Sequence, residues 1–137
     1  MKACVAAAFE PYIERIGKPP APMLLDIPAE IEAGHVWLYE LNGNTIGVLI
    51  QYETDEGFYI DTVAVFQHQQ GRGVGRQFLA FAEQEALRRG YDSLYLCTNV
   101  KMTENQVFYP RLGYVEVERN RVDGYDRIYY RKVLKET

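Results

Sequence analysis

The sequence has few residues that could hold a metal ion or form a disulfide framework. Among its 137 residues are two cysteines and two histidines. Cys4 and Cys97 lack metal-ligand spacing, and His35 and His68 fall on different predicted elements, so we expect no metal and no cysteine nucleophile beside a base. So little cysteine is typical of a compartment where thiols stay reduced. We interpret both as small buried residues.

Long hydrophobic runs and an excess of positive charge are also missing. The longest apolar stretches, such as residues 6–9 and 48–50, are far shorter than a membrane span, and no signal-peptide core is visible. The 19 acidic and 15 basic residues give a net charge of -4, which repels a polyphosphate backbone. We therefore expect a cytoplasmic protein with no membrane and no nucleic acid as partner.

The remaining composition is that of an ordinary globular protein. Hydrophobic residues make up 47% and charged residues 25%, so neither disorder nor a fibrous architecture is indicated. The chain is long enough for one core and too short for two catalytic domains. We expect a single domain over residues 1–137.

Hydrophobic periodicity and turn residues predict an α/β (α+β) fold. The predicted helices cover residues 3–16, 28–33 and 74–89 and a short segment that starts at a capping box, 103–106, and is limited by Pro110. The predicted strands cover residues 36–41, 45–52, 58–66, 93–97, 114–121 and 125–134. Hairpin turns make most neighbours antiparallel, and the crossover through the third helix makes one pair parallel. The sheet is therefore mixed and mostly antiparallel, flanked by helices.

The most informative motif lies at residues 70–75, which read QGRGVG. It follows the strand that ends near residue 66 and precedes an amphipathic helix. Glycines at alternate positions let successive backbone N–H groups turn toward one point, and the helix adds its unpaired N-terminal donors and the positive end of its dipole. This placement predicts a cradle for a phosphate or diphosphate.

Two other nucleotide-binding motifs and a plain glycine turn are alternative interpretations of this loop. A P-loop would end in Gly-Lys-Ser/Thr, whereas this chain continues with Val74, Gly75 and Arg76. A dinucleotide fingerprint would need one more residue between glycines and an acid at the far end of the next strand, whereas Asp92 precedes its strand. A glycine turn that merely permits tight strand-to-helix packing is not excluded by the loop alone.

In context, the loop resembles the phosphate-binding signature of the GCN5-related N-acetyltransferase (GNAT) superfamily. That signature, Q/R-x-x-G-x-G/A, is matched here by Gln70, Gly73 and Gly75. Residues 63–65 resemble the strand that precedes the loop in the family. The resemblance implies a GNAT-like fold with the sheet splayed at a cofactor cleft.

A second segment, residues 105–114, resembles another GNAT signature, an Asn and a Tyr followed by a glycine and an aromatic residue. The order of elements agrees with the family from about residue 3 to residue 134. One departure is at the start, where the family usually has a strand and this chain has a helical pattern. We expect this departure to affect the acceptor side more than the cofactor side.

The resemblance implies acetyl-CoA as co-substrate, with its pyrophosphate on residues 70–76. The residues expected to bind it are Val63, Val65, Gln70, Gly71, Arg72, Gly73, Val74, Gly75, Arg76 and Asn105. The backbone groups of the two valines would pair with the pantetheine arm as with an added strand, while their side chains can also serve as ordinary core. Loop backbone groups are expected to matter more than the Gln70 and Arg76 side chains.

Two catalytic residues are predicted, Tyr109 and Asp61. The resemblance assigns Tyr109 to the departing thiolate; a core tyrosine is the alternative. A thiol pKa near 8.5 lies below that of tyrosine near 10, so complete proton transfer is uphill by about 2 kcal/mol, which favours a hydrogen bond. Strict strand alternation places Asp61 on the face of Val63 and Val65, as the best acid to deprotonate an amine, ahead of Glu53. A structural ion pair is the alternative for Asp61.

Together these features predict an acetyl-CoA-dependent N-acetyltransferase that transfers acetyl directly to a primary amine of a small molecule or peptide. A catalytically idle acyl-CoA-binding or sensor module of the same fold is the alternative. The resemblance would build the acceptor site from the first helices, the 17–23 loop and the final hairpin, and it leaves a homodimer open. Four aromatic residues could line that site or fill the core: Trp37, Tyr125, Tyr129 and Tyr130.

Overall fold

The computed structural model describes residues 2–66 and 73–135 and contains five α-helices and six strands in its described part. The helices are α1 (Lys2–Phe9), α2 (Tyr12–Ile16), α3 (Ile27–Glu32), α4 (Val74–Arg88) and α5 (Asn105–Arg111), with a 3-10 helix at Ala21–Leu24. The strands are β1 (Val36–Leu41), β2 (Asn44–Thr54), β3 (Gly57–Val65), β4 (Ser93–Asn99), β5 (Val115–Val122) and β6 (Tyr125–Val133).

The six strands form one sheet in the order β1-β2-β3-β4-β6-β5. β3 and β4 are parallel, because α4 carries the chain back to the starting edge between them, and the other neighbours are antiparallel. The predicted mixed, mostly antiparallel sheet is confirmed.

Two hydrophobic clusters lie on opposite faces of the sheet. Successive β2 residues alternate between them: Leu49 belongs to the cluster around α4, and Val48 and Ile50 belong to the cluster under α1 and α3. The α4 stripe is Val74, Phe78, Leu79, Ala82 and Ala86, all buried. Thus α4 covers one face and the N-terminal helices cover part of the other.

The parallel pair β3–β4 separates soon after it begins. Its register contains Phe58↔Leu94, Tyr59↔Tyr95 and Ile60↔Leu96. Beyond Ile60 the β3 strand continues to Val65, still paired with β2. The sheet is therefore splayed between the carboxyl ends of β3 and β4, as the resemblance implied.

A bulge in β3 changes the face on which Asp61 lies. Ile50 pairs with Thr62 and Gln51 pairs with Ile60, so Asp61 has no Cα partner in β2. Its carboxylate contacts Tyr52, which packs on the α1 side, whereas Val63 and Val65 pack with the α4 cluster. The prediction that Asp61 shares their face is wrong, because strict alternation does not hold across a bulge.

Two local predictions about helices are also wrong. The single helix over residues 3–16 is two helices, because Pro11 has no backbone N–H and its ring clashes with the carbonyl four residues earlier. The capping box at Thr103 does not form: Glu104 is the N-cap residue without a side-chain cap, and the Gln106 amide donates to the Val100 carbonyl at 2.8 Å. The short helix that Pro110 predicted is present as α5.

Candidate active site

A cavity of about 970 Å³ lies in the gap between the diverging ends of β3 and β4. On the α4 side it is lined by Gly73, Val74, Gly75, Arg76, Asn105, Phe108 and Tyr109. On the α1 side it is lined by Tyr12, Pro20, Pro22, Tyr52, Tyr59, Asp61, Cys97, Tyr125 and Arg127, among others. The cavity therefore passes through the splayed sheet and joins its two faces.

The end of the glycine loop forms one side of the cavity. Gly73 is the N-cap residue of α4 with φ 81°, a left-handed conformation that favours glycine, and as a glycine it has no side chain to cap the helix. Gly75 has Phe108 as its nearest neighbour, 3.7 Å from where a Cβ would stand. The first turn of α4 thus lies beside the cavity without a cap from its own N-cap residue. The predicted residues Gln70, Gly71 and Arg72 lie outside the described residues.

The two predicted valines lie at the wall of the gap. Val63 is half-buried, Val65 is buried, and both line the cavity. Both side chains also pack with the α4 cluster. The core-packing interpretation therefore holds for their side chains, while the strand carrying them faces the gap.

Asn105 lines the cavity and also holds α5 against β4. Its amide nitrogen donates to the Thr98 hydroxyl at 2.9 Å and lies 3.7 Å from the Met102 sulfur. This contact fixes the first turn of α5. Because Tyr109 lies one turn later on the same face, Asn105 sets the position of that ring.

Tyr109 projects from α5 into the cavity among aromatic neighbours. Its ring packs against Phe108, Tyr114 and Tyr130, with centroid distances of 5.2, 5.8 and 6.0 Å. No side chain in the described ranges 2–66 and 73–135 hydrogen-bonds its hydroxyl. Burial raises the pKa of Tyr109, and the neighbouring Cys97 adds to the rise. The hydroxyl therefore keeps its proton and can donate a hydrogen bond to a bound ligand.

Asp61 is a carboxylate in the cavity wall on the α1 side. It accepts hydrogen bonds from the Tyr52 hydroxyl at 2.5 Å and the Thr62 hydroxyl at 3.1 Å. Burial raises the pKa of Asp61, and the two donors offset only part of this effect. The sequence-based runner-up, Glu53, is 50% exposed in its side chain and lies 3.6 Å from Arg89, and it does not line the cavity.

Sequence reasoning missed several cavity residues beside Asp61. Tyr59 hydrogen-bonds Cys97 at 3.2 Å, hydroxyl to sulfur, and burial raises the pKa of the Cys97 thiol. Arg127 enters from β6, opposite Asn99 in the β4–β6 register. Arg127 reaches the cavity because β6 pairs with β4, a strand far away in sequence. The alternation of residues along one strand does not reveal such a pairing. Since its pKa is raised, Cys97 is a protonated, partly buried thiol in the cavity wall, whereas Cys4 is buried as predicted.

The N-terminal segment is tied to both sides of the cavity. Tyr12 and Arg15 of α2 donate to the Glu104 carboxylate at 2.8 and 2.6 Å. Across the cavity, the Tyr125 hydroxyl donates to the Pro19 carbonyl at 2.5 Å. Together α2 and the segment 17–25 form what we call the roof of the cavity. Of the predicted aromatic residues, Tyr125 lines the cavity, Tyr130 is buried in the core, and Trp37 packs against Phe81 of α4.

None of the described helices has the length and apolar character needed to cross a bilayer. Likewise, within residues 2–66 and 73–135 no group of three or more His, Cys, Asp or Glu side chains is arranged to hold a metal ion.

Comparison with known proteins connects this cavity to a family. A family model described as the acetyltransferase (GNAT) domain matches residues 32–116. An aminoalkylphosphonate N-acetyltransferase from Salmonella typhimurium is 31% identical over 86 residues, which are 58% of this chain and 56% of that protein. The chain thus matches about half the length of that relative.

Solved structures agree in fold at low sequence identity. The structure of an IAA acetyltransferase from Bacillus cereus has a TM-score of 0.70 at 19% identity, covering 97% of this chain and 91% of that one. A GNAT family acetyltransferase from Elizabethkingia anophelis, solved with acetyl-CoA bound, has a TM-score of 0.65 at 22% identity, covering 82% and 87%. The family match spans more than half of the chain, and the splayed sheet and the cavity fit it: this chain belongs to the GNAT acetyltransferase family.

Proposed function

We propose that the protein is an acetyl-CoA-dependent N-acetyltransferase that transfers an acetyl group directly to a primary amine. The observation that carries this proposal is the cavity through the splayed sheet, which has Tyr109 on one side and Asp61 on the other. A hydrogen-bond donor and a partly buried carboxyl group lie on opposite sides of one gap. This arrangement suits a reaction in which the amine must lose a proton and the thiol group must leave as a stabilised anion.

The described residues fit the co-substrate. Gly73 and the first turn of α4 offer backbone donors to a pyrophosphate, Arg76 adds a positive charge, and the backbone of Val63 can pair with the pantetheine amides as an added strand would. Val65, Val74 and Asn105 complete this side of the cavity. When bound, acetyl-CoA supplies a thioester whose acetyl group the amine nitrogen accepts.

Asp61 is proposed as the group that accepts the proton of the incoming ammonium. An alkylamine of pKa about 10.4 must lose a proton before it can attack, which costs roughly 4.6 kcal/mol at neutral pH. The raised pKa of Asp61 brings its basicity closer to that of the amine. The Tyr52 and Thr62 hydroxyls hold the carboxylate in one orientation.

Tyr109 is proposed as the group that donates to the sulfur as the C–S bond breaks. Its raised pKa makes full proton transfer more uphill than for an ordinary tyrosine, so we assign it a hydrogen bond to the developing thiolate. The uncommitted hydroxyl and the fixed α5 register support this role. The ammonium nitrogen loses two protons: the first passes to Asp61 before attack, and the second is released as the amide forms and is balanced by the proton that the departing CoA thiolate takes up.

The acceptor is proposed to be a small amine. The Salmonella relative is named for transfer to aminoalkylphosphonates, and the roof residues Tyr12, Pro20 and Pro22 line the α1 side of the cavity. A compact alkylamine fits beneath these residues more readily than a lysine within a folded protein. Short flexible peptides remain in the test panel.

The test combines calorimetric titration of CoA and acetyl-CoA with thiol release over a panel of alkylamines, amino acids and short peptides. We expect acetyl-CoA binding in the micromolar to sub-millimolar range, about the KM scale of ordinary enzymes, and thiol release with at least one amine. Binding without release for any acceptor would favour the idle acyl-CoA-binding module. No binding at millimolar concentration would overturn both functions.

A further inference from the structure

Arg127 is a positively charged side chain in the cavity wall on the face opposite the glycine loop. The β4–β6 register pairs Cys97 with Tyr129 and Asn99 with Arg127, so these four side chains share one face. The residues between them, Thr98 and Ile128, point the other way, with Ile128 in the α4 cluster. Arg127 therefore lies at the α1-side mouth of the cavity.

Arg127 has no carboxylate within 4.0 Å among the described residues, whereas five other arginines lie within that distance of an acid: Arg15, Arg88, Arg89, Arg119 and Arg121. Arg76, Arg111 and Arg131 share this lack of an acid partner, but only Arg76 of these three lines the cavity, on the α4 side. Arg127 is therefore the described arginine without an acid partner that lines the α1 side of the cavity. Its guanidinium interacts with the Tyr129 side chain and has five N–H donors.

Asp61 and Arg127 lie on the same side of the sheet but do not form an ion pair. Asp61 accepts hydrogen bonds from Tyr52 and Thr62. Burial raises its pKa, and the charge of Arg127 acts on it from beyond 4.0 Å and offsets part of this rise. Tyr59 and the Cys97 thiol, joined to each other at 3.2 Å, line the same cavity. The α1 side of the cavity thus presents a carboxyl group and a guanidinium that are not paired with each other.

We infer that the acceptor is a zwitterion: a small primary amine that carries an anionic group, carboxylate or phosphonate, held by Arg127 while its amino group faces Asp61. This inference rests on the proposed acetyl transfer and narrows its substrate class. A guanidinium in a partly buried wall binds a planar or tetrahedral oxyanion through paired N–H donors. The same two charges disfavour diamines, which would place a second cation against Arg127.

The test measures kcat/KM for thiol release with 2-aminoethylphosphonate, β-alanine, propylamine and 1,3-diaminopropane. The first two share an amine and differ in the anion, which separates a phosphonate preference from a carboxylate preference. We expect at least one of them to exceed propylamine by roughly tenfold or more, the value of a charge-assisted hydrogen bond, and diaminopropane to be poorest.

Variants of Arg127 separate binding of the anion from a role in folding. Arg127→Gln is expected to reduce kcat/KM for the anionic acceptor at least tenfold more than for propylamine, mainly through KM, and Arg127→Lys to recover part of the loss. Acetyl-CoA affinity, measured by calorimetry, should stay within about threefold in both variants. The matched control is Arg121→Gln on the neighbouring strand, where Arg121 is exposed and paired with Asp126. It should leave kcat/KM unchanged for the anionic acceptor and for propylamine.

Two results would overturn the inference and leave acetyl transfer intact. One is equal or better turnover of propylamine than of both anionic acceptors. The other is an anion preference that survives Arg127→Gln. Absence of transfer to all four amines would also overturn it, and in that case the calorimetric titration of acetyl-CoA decides separately whether the protein is a binder.

Discussion

At the scale of single residues, Tyr109 is held in place by ring contacts, and its hydroxyl has no side-chain hydrogen-bond partner among the described residues. Tyr109→Phe removes the hydroxyl and keeps the ring contacts to Tyr114 and Tyr130. We expect kcat under chemistry-limited conditions to fall roughly 10²-fold, at the lower end of acid–base effects, while acetyl-CoA affinity is kept. Tyr91→Phe, outside the cavity and packed on Phe58, is the control. Unchanged single-turnover rates would remove Tyr109 from the chemistry.

The ionisation of Asp61 affects both the stability of the fold and the proposed activity. Burial raises its pKa, so the folded state favours the protonated acid. The stability that Asp61 contributes is therefore fully present below the ordinary carboxyl range and is lost as the pH rises through its raised pKa. Activity is expected to rise with pH over the same range, because Asp61 must be ionised to act as the proposed base.

The prediction is that Asp61→Asn raises the melting temperature relative to wild type at pH 7–8 and that this difference shrinks at acid pH. The asparagine oxygen still accepts from Tyr52, and the buried charge is gone. The same variant should lose about 10²-fold or more in kcat/KM. Asp55→Asn, on the exposed β2–β3 turn, should change neither quantity. If Asp61→Asn is less stable than wild type at pH 8, the Asp61 charge is stabilised by its surroundings in the folded state, and the prediction is wrong.

At the scale of elements, the sequence predicted those whose signals are local. The turn at Asn42-Gly43, the α4 stripe and the crossover that makes β4 parallel all follow from neighbouring residues and chain handedness. The break at Pro11 was also readable, since proline excludes itself from a helix interior. The prediction of one continuous helix followed the apolar pattern, which continues through both helices.

Other features of the site depend on contacts between elements and could not be predicted from one sequence. The bulge that moves Asp61 exists only in the pairing of β2 with β3. Arg127 reaches the cavity because β6 pairs with β4, bringing together residues 28 positions apart. The capping box at Thr103 does not form because its residues make other contacts. Gln106 donates to the Val100 carbonyl, and Glu104 accepts from Tyr12 and Arg15. The glycine loop was predicted; the residues that face the acceptor were not.

At the scale of the whole molecule, stability is distributed unevenly around the cavity. The sheet strands β2, β3 and β4 and the helix α4 contain most of the fully buried side chains. In contrast, α2, the 3-10 helix and α5 contain no buried residue. The roof includes the buried Pro20 and also Leu25, which packs on the α1-side cluster, while its α2 end is held by the polar contacts of Glu104. Segments of this kind open locally at lower free energy than the core.

The last prediction concerns amide hydrogen exchange over the whole chain. We expect residues 12–24 to exchange faster than α4 and β2–β4, and Glu104→Gln to speed exchange in residues 12–16 several-fold more, because it weakens the contacts to Tyr12 and Arg15. The effect should be modest, since an exposed ion pair contributes about 0.2–1 kcal/mol. Glu116→Gln, which breaks the similarly exposed Arg119 pair on β5, should leave the roof unchanged. Equal exchange in α2 and α4 would show that the roof opens only with the core, and access to Asp61 would then require another route.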